Sequence, residues 1–522
     1  MKSAQNAYFS GMIWEALSKV ALLGTERGQL PGRVKAALEQ IGLPPNQAPE
    51  QLLLEGAALY HQLRKAGWPA AGGARPAGLP DAASGLRPLP SAAARQLEHI
   101  VAGRFRGVLT EALGLLQSGG YELPREHLPA LANWSRNKPR LWGQIRPLVS
   151  EFGFWLLRQN PDWGGLAEAA PLASEPPANH QALIWGLRRI RHTQPRGAAG
   201  YLDLVWEGLT YPEKTDALRE FQVNLGEDDQ AFLEEQLTDT RKEVRQAAAR
   251  LLLQIPGSAI QQQLYEETRE WLSLDGKGHL RLDYPKQVNP QLKKLGLLTA
   301  KRYGYPGGGK ADRAFEALSK VPPRLWEAHF GQPTLTTLRL FARGTRQKLL
   351  ADAAAQAAIL HQDHRWIEAL LRHWWRTENE ERWNSALGKQ LMAEVPDAIF
   401  NDLILTYLKR HNGYIEEQSF ADQLLCLGRH RWEAEVARRV IAHFREWVNG
   451  TPSHYWNLWH YKRVLKVAAY QAPPSLLPVF QNGWNSRSPV WGRWEPEVNN
   501  FLKTLTFRRD LQAALQPTSS GT

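Results

Sequence analysis

One stretch of the chain, Gln230 to Ser258, has the pattern of a complete structural unit, two short amphipathic helices joined by a tight turn. In its second half, apolar residues recur at i, i+3, i+4, i+7, i+8 and i+11, which forms one continuous stripe along a helix. Thr240 and Glu243 have capping-box spacing at the start of this helix, and Pro256 prevents its continuation. The stripe consists of Val244, Ala247, Ala248, Leu251, Leu252 and Ile255. The boundaries of the unit are therefore encoded locally.

The same stretch resembles a HEAT-type repeat, in which such helix pairs stack into a solenoid. In these stacks the turn aspartate accepts amide hydrogen bonds and the arginine reaches along neighbouring repeats. We therefore interpret Asp239 and Arg245 as architectural residues rather than as a functional charged pair. The repeat pattern is carried by Leu237, Asp239, Val244, Arg245, Ala247, Ala248, Ala249 and Leu252. The predicted fold class is all-α, an α-solenoid or HEAT-like helical repeat array with short irregular insertions.

The composition is that of a folded chain with a moderate basic excess. With 522 residues and 43% hydrophobic content, the chain can bury a sizeable core. Lys+Arg number 64 against 52 Asp+Glu, and the net charge of +12 permits an acidic protein partner, nucleic acid or merely good solubility. The basic residues are scattered in small clusters without a long basic run. One such cluster is Arg188, Arg189, Arg191 and His192.

The cysteine content and the lack of targeting signals predict a cytoplasmic protein. Cys426 is the single cysteine, which excludes an intramolecular disulfide and a multi-cysteine metal site and fits a reducing compartment. The N-terminal residues lack the apolar core of a secretory signal, and no uninterrupted apolar run of about 18 residues occurs. We expect the chain to be neither exported nor membrane-spanning.

Proline and glycine divide the chain into segments. Residues 69–90 contain five prolines without periodicity and are typical of a linker. Helical patterns fill most of the rest, including one from Leu141 to Leu157, and a short strand pair is possible around His279 to Leu282. The predicted organisation is an N-terminal helical segment (1–68), the linker (69–90), HEAT-like repeats (91–274), an irregular glycine-rich insertion (275–310), a C-terminal helical region (311–516) and a flexible tail (517–522).

The insertion contains a partial phosphate-binding motif. Gly304 to Lys310 satisfies G-x-x-x-x-G-K, but Ala311 follows where the motif needs a Ser or Thr hydroxyl to hold Mg²⁺. The motif also requires a strand that leads into the glycines, and the preceding residues do not clearly form one. We interpret the segment as a flexible or partner-contacting loop.

Other candidate catalytic and metal-binding groups have ordinary structural explanations. His361 and His364 share a helical spacing without a third ligand, and His454 and His460 flank an aromatic cluster. Cys426 lies in an apolar helical stretch, where a thiol is normally inert packing. The sequence predicts no catalytic residue, no metal ligand and no cofactor, and we expect the protein not to be an enzyme.

Tryptophan is frequent, with 21 copies, many at the starts or ends of predicted helices. The simplest explanation is that wide aromatic rings wedge between stacked helices. The alternative is an aromatic binding groove. Its best candidate partner-contact residues are Tyr455, Trp456, Trp459 and Tyr461.

Several landmarks together resemble one uncharacterised bacterial family, a domain of unknown function about 500 residues long. They are ALLGTER (Ala21 to Arg27), FGFWLLRQNPDW (Phe152 to Trp163), the repeat from Phe232 to Ala259 and the closing FLKTLTFRRDL. The chain has FGF at 152–154 where the family pattern has a basic residue between glycines. The family is not known to be enzymatic, and its members are typically encoded near MoxR-type AAA ATPases, von Willebrand factor A proteins and SWIM zinc-finger proteins. The resemblance implies a scaffold or adaptor in such a system.

The sequence therefore leads to two functional hypotheses. The first is a non-catalytic α-solenoid that binds other proteins, with a MoxR-type AAA ATPase or a von Willebrand factor A protein as the partner that the resemblance implies. The alternative is a nucleic-acid-binding helical repeat protein that holds duplex on a basic concave face.

Overall fold

The structure is a computed structural model. It describes residues 14–40, 43–44, 47–66, 85–136, 138–160, 162–167, 176–177, 179–284, 287–298, 302–343, 346–450 and 459–516. The chain divides into two compact units, residues 1–82 and 83–522. This division lies within the segment predicted as a linker, 69–90, of which only residues 85–90 are described.

The smaller unit contains three helical segments, which are α1 (residues 14–23), α2 (Gly32–Gln40) and α3 (Pro49–Ala66). All three lie in the segment 1–68, which was predicted to be helical. Their apolar faces meet in a small core of Leu17, Val20, Leu30, Val34, Leu38 and Leu52.

The larger unit is predominantly helical, as predicted. Its α-helices are α4 (Ser91–Val101), α5 (Leu109–Ser118), α6 (Leu128–Ser135), α7 (Pro139–Ile145), α8 (Glu151–Arg158), α9 (Gly164–Ala167), α10 (His180–Thr193), α11 (Ala198–Asp203), α12 (Tyr211–Glu220), α13 (Gln230–Glu235), α14 (Lys242–Leu252), α15 (Ala259–Arg269), α16 (Pro290–Lys294), α17 (Gly309–Leu318), α18 (Pro323–Phe330), α19 (Thr334–Phe341), α20 (Gln347–Leu360), α21 (His364–Arg376), α22 (Glu380–Asn384), α23 (Ala386–Ala393), α24 (Asp397–Arg410), α25 (Phe420–Cys426), α26 (Ala434–Gly450), α27 (Trp459–Gln471), α28 (Leu477–Gln481) and α29 (Trp491–Leu515).

Short 3-10 helices connect many of these elements, at Arg106–Val108, Arg125–His127, Arg146–Leu148, Pro195–Gly197, Trp206–Gly208, Glu227–Asp229, Gln236–Thr238 and Pro474–Leu476. The two strands are β1 (Leu272–Leu274) and β2 (Leu280–Leu282), which pair antiparallel where the sequence left room for a strand pair. No helix in the described ranges is both long and apolar enough to cross a membrane.

The helix predicted from Leu141 to Leu157 is in fact two helices. The 3-10 turn Arg146–Leu148, which contains a proline, ends α7, and Ser150 then caps α8 by accepting a hydrogen bond from the Gly153 amide. The apolar periodicity runs across this break because both helices contribute to the same core. A pattern of apolar spacing alone does not reveal such an interruption.

The repeat unit folds as predicted, with α13 and a 3-10 turn packed against α14. Its stripe faces the core, since Val244, Ala248 and Leu252 are fully buried. The predicted capping box does not form, because α14 begins at Lys242 and Arg241 is its N-cap residue without a side-chain cap.

The turn before α14 is instead held by Asp239 and Arg245. Asp239 Oδ1 accepts a hydrogen bond from the Arg241 amide at 2.7 Å, as expected for the turn aspartate. The same carboxylate forms an ion pair with Lys214 Nζ of α12 at 3.1 Å. Arg245 does not reach along the neighbouring repeat as predicted. Its guanidinium donates to the carbonyl oxygens of Asp239 and Thr240, within its own turn. The Lys214–Asp239 pair is therefore a polar link between this turn and the neighbouring helix α12.

Tryptophan side chains mostly act as interhelical packing in the larger unit. Trp142, Trp206, Trp326, Trp374, Trp375 and Trp383 are all at least nine-tenths buried. Trp14, in the smaller unit, is an exception and is about half exposed. The wide rings thus fill the spaces between stacked helices in the larger unit.

Neighbouring helices of the larger unit pack in a regular series. One series runs α10–α12–α14–α15–α17–α20–α23–α25–α27–α29, and a second contains the contacts α19–α21 and α24–α26. Several hydrogen bonds between the packed helices join residues 30 to 35 positions apart, and others join residues 38 to 47 positions apart. The first group links Asn401 to Arg431 and Glu433, Arg410 to Glu378, Arg445 to Val479, Asn449 to Gly483, and Lys462 to Glu497.

The first and last helices of this unit also touch each other. Helix α29 packs on α4 and α5, α5 packs on α7, and α7 packs on α10, so the series of contacts is closed. The Phe507 ring stacks on Phe105 with centroids 4.1 Å apart, and Tyr121 Oη donates to the Leu515 carbonyl. Neither the apolar periodicity nor the repeat pattern predicts that the two ends meet.

Arg508 is the polar centre of this closure. Its guanidinium bonds the Glu111 carboxylate with Nε–Oε2 at 2.6 Å, and it donates to the carbonyl oxygens of Ala469 and Ala472. Gln512 adds a further bond to Glu111. One side chain therefore joins α29, α5 and the end of α27.

We expect Arg508→Ala to lower the free energy of unfolding by about 2–3 kcal/mol, because it removes a buried guanidinium together with its charge-assisted hydrogen bonds. Arg509→Ala is a matched control, since Arg509 is half exposed and, within the described residues, pairs only with the adjacent Asp510. Urea-induced unfolding measured by circular dichroism compares the two variants. Equal midpoints for both would contradict a stabilising role for this contact.

A candidate basic pocket beside the hairpin

The helical array is interrupted between α15 and α17, where β1 and β2 form a hairpin. The turn is held by Asp275, whose Oδ1 accepts the amides of Lys277 and His279 at 2.9 and 2.8 Å. Gly278 has a φ of 76°, which favours glycine. These hydrogen bonds from backbone amides lower the pKa of Asp275. The carboxylate therefore has a structural role in the turn.

A pocket of about 760 Å³ lies beside β2 and receives residues from outside the hairpin. Its lining is Asp275, His279, Leu280, Arg281, Leu282, Arg343 and Arg346. Arg343 follows α19 and Arg346 precedes α20, so the fold brings two arginines to a hairpin that lies more than sixty positions earlier in the chain. The lining thus combines three guanidinium groups and two leucines with the Asp275 carboxylate and His279.

The three arginines differ in how far their charge is neutralised. Arg281 Nε bonds Asp283 at 2.9 Å, although this pair is exposed. Arg346 donates to the Pro306 carbonyl and lies over the ring of Tyr284. The Arg343 guanidinium has no hydrogen-bond or carboxylate partner among the residues that the structure describes.

Positive charge extends from the pocket to the end of α21. The pKa of His373 is lowered, first by burial and then by the nearby guanidinium groups of Arg339 and Arg343. This histidine therefore loses its proton more readily than usual beside the two arginines. The electrostatic character of the whole area favours anionic groups.

The glycine loop does not have the geometry of a phosphate-binding loop. Residues 302–305 form no strand, and α17 begins at Gly309, so Lys310 lies in its first turn. The buried Asp312 carboxylate accepts the Tyr305 amide at 3.3 Å and places a negative charge where a phosphate would have to bind. The loop is thus occupied by the chain's own carboxylate.

The same loop is anchored by a tyrosine. Tyr305 Oη donates to Asp352 Oδ2 at 2.9 Å, and Arg382 forms an ion pair with the same carboxylate. Burial raises the pKa of Tyr305 to about 12. The hydroxyl therefore stays protonated and acts as a structural donor.

The predicted aromatic contact site is only partly described. Tyr455 and Trp456 lie outside the described residues, and Trp459 is the first residue of α27. Tyr461 is 1% exposed and donates its hydroxyl to the Ile415 carbonyl. The prediction of a partner contact is therefore wrong for Tyr461, because its ring packs between Phe444 and Trp447 in the core.

Two of the other chemical candidates, His361 and Cys426, have structural partners. His361 bonds the Lys320 carbonyl, and burial lowers its pKa. His364 is exposed at the start of α21. Burial, helped by Asp422, raises the pKa of Cys426 to about 12, which keeps the thiol protonated. Among the described residues, no group of three or more His, Cys, Asp or Glu could hold a metal ion.

The sequence patterns did not identify the pocket arginines Arg343 and Arg346 as site residues. The visible signal was the pair of arginines in FARGTRQ, residues 341–347, which break an apolar pattern between two helices. Their position in the sequence did not indicate that these two arginines would lie beside the hairpin.

Comparison with known proteins gives a family match. The model of a family of unknown function (DUF5691) matches residues 16–515. No curated protein and no solved structure matches the chain.

Proposed function

The chain belongs to this family of unknown function (DUF5691), and on that premise we propose that it is a non-catalytic protein-binding scaffold built from stacked HEAT-like helix pairs. The observation that supports the proposal is the recurrence of polar contacts between residues 30 to 47 positions apart along the packed helices. Stacked repeats of this length bury their apolar faces against their neighbours and leave a continuous surface for other proteins.

The distribution of charge favours protein over nucleic acid as the partner. The basic excess of +12 is the feature that supports duplex binding. Many exposed arginines, however, are paired with neighbouring carboxylates, as in Arg196–Asp228, Arg269–Glu266 and Arg410–Glu378. A phosphate backbone that lay along these pairs would meet the carboxylates as well as the arginines, which weakens nucleic-acid binding.

The resemblance described in the sequence analysis supplies the class of partner. We propose a MoxR-type AAA ATPase or a von Willebrand factor A protein as the binding partner. A large helical surface can contact several subunits of such an assembly at once, which provides binding strength without any catalytic group.

Affinity purification of the tagged protein from the cell that produces it tests this function. We expect specific proteins to be retained equally with and without nuclease, because the contacts are between proteins. Fluorescence anisotropy with duplex DNA should detect binding only at low salt. Micromolar duplex binding that persists at about 150 mM salt, with no protein retained, would favour the nucleic-acid function instead.

A further inference from the structure

The β-hairpin has a regular pattern of internal hydrogen bonds that leaves its outer edges free. Asp275 N donates to the His279 carbonyl, and Asp283 N donates to the Trp271 carbonyl, both at 2.9 Å. In an antiparallel pair, bonded and non-bonded residue pairs alternate. The bonded pairs are therefore 271–283, 273–281 and 275–279, and the pairs 272–282 and 274–280 are non-bonded.

It follows that the backbone N–H and C=O groups of Leu280 and Leu282 point away from β1. Neither residue has another hydrogen-bond partner within the described part of the chain. Leu280 is buried and Leu282 is half-buried, and both line the pocket. An edge of this kind is a template for a further strand.

The basic pocket lies along this edge. Four consecutive residues, 279–282, line it, whereas a pocket on one face of a strand would contact alternate residues. Arg343 and Arg346, from outside the hairpin, also line it. A segment that occupied the pocket would therefore meet both the outward backbone groups of β2 and these guanidinium groups.

We propose that the free edge of β2 binds an extended acidic segment of a protein partner as a third strand. The segment's backbone pairs with Leu280 and Leu282, and its carboxylates bond Arg343 and Arg346. This inference rests on the proposed scaffold function and specifies the chemistry of the partner. Arg343 is the principal charge contact because no other group in the described structure neutralises it.

A polypeptide fits this edge better than a nucleic acid does. The two leucine carbonyls require donors, and a peptide backbone supplies an N–H at each alternate residue. A DNA sugar–phosphate backbone presents acceptors only. The two leucines of the lining, Leu280 and Leu282, also suit the apolar side chains of a peptide better than phosphate groups.

The test uses the full chain and a fluorescein-labelled peptide that alternates valine and glutamate over one strand length. Fluorescence anisotropy should detect saturable binding. The same peptide with lysine in place of glutamate should not bind, because it meets three arginines. A version methylated on its backbone nitrogens keeps every carboxylate but loses its donors, so we expect it to bind at least about tenfold more weakly.

Two variants and two matched controls locate the site. Arg343→Glu reverses the unpaired charge, and Leu282→Pro removes one outward N–H without removing a bond to β1. Each should weaken binding of the glutamate peptide by about tenfold or more. Arg250→Glu makes the same charge change at an exposed helix position, and Leu274→Pro removes the equivalent N–H from the other edge. Both controls should stay within about twofold of the wild type.

The outcomes separate this inference from the scaffold function. Absence of peptide binding, or binding that survives both backbone methylation and Arg343→Glu, would overturn strand addition at β2. The protein partners found by affinity purification would then still support a scaffold that binds elsewhere. If Leu282→Pro fails to fold, as judged by circular dichroism, the methylated peptide and Arg343→Glu decide the result.

Discussion

Ala248→Arg should lower the free energy of unfolding by about 4–5 kcal/mol, the largest effect that we expect from a single substitution. Ala248 is fully buried on α14, which packs against α12 and α13. A small residue allows these helices to approach closely, and arginine at this position would be overpacked as well as unpaired. The position therefore tests whether the repeat's apolar stripe is an interhelical contact.

Two further substitutions separate the effect of added volume from the effect of a buried charge. Ala248→Leu adds volume without charge and should be less destabilising, by about 1–3 kcal/mol. Ala247→Arg places the same charge one position away, where the helix is half-buried and the long side chain can reach solvent. Urea-induced unfolding compares the three variants, and hydrogen exchange of residues 211–253 localises the change. An unaltered midpoint for Ala248→Arg would mean that the stripe does not face a neighbouring helix.

Arg191→Leu should be destabilising by about 3–5 kcal/mol, because it would leave the Asp229 carboxylate buried without its cation. Arg191 has no exposed surface, and its guanidinium bonds both oxygens of Asp229 at 2.6 and 2.8 Å. The same group lies over the ring of Phe221. Its remaining bonds go to the carbonyl oxygens of Val223, Pro195, Phe221 and Asn224.

Arg191→Lys keeps the charge but cannot reproduce this set of bonds, so it should retain only part of the stability. The matched control is Arg188→Leu, one helix turn earlier, where the guanidinium pairs with Glu220 near the surface. That variant should change the free energy of unfolding by less than about 1 kcal/mol. Similar urea midpoints for Arg191→Leu and Arg188→Leu would show that the buried pair does not stabilise the fold.

Arg191 illustrates what a linear pattern cannot determine. In the sequence it belongs to a basic cluster with Arg188, Arg189 and His192, and such a cluster suggests a surface that attracts anions. In the structure its charge is neutralised by a carboxylate 38 positions away, and none of it reaches solvent. Tyr461 was predicted as a partner contact but is buried, for a similar reason. An aromatic-rich stretch of sequence does not show which rings lie in the core and which are exposed.

The candidate site depends on distant parts of the chain in the same way. The hairpin could be placed from sequence as a break in the helical pattern with a possible strand pair. Its free edge became a pocket only when Arg343 and Arg346 were brought beside it by the packing of α19 and α20. Sequence spacing carries no information about contacts at that separation.

The sequence by itself determined the helical class and the buried stripe of α14, with Val244, Ala248 and Leu252. These features depend on interactions within about one or two helical turns, so apolar periodicity and proline positions encode them directly. The tertiary structure decided the Arg191–Asp229 pair, the contact of Arg508 with Glu111 at a separation of 397 residues, and the arginines beside β2. Each of these depends on which helices become neighbours, and that choice is made by the burial of many faces at once rather than by any local pattern.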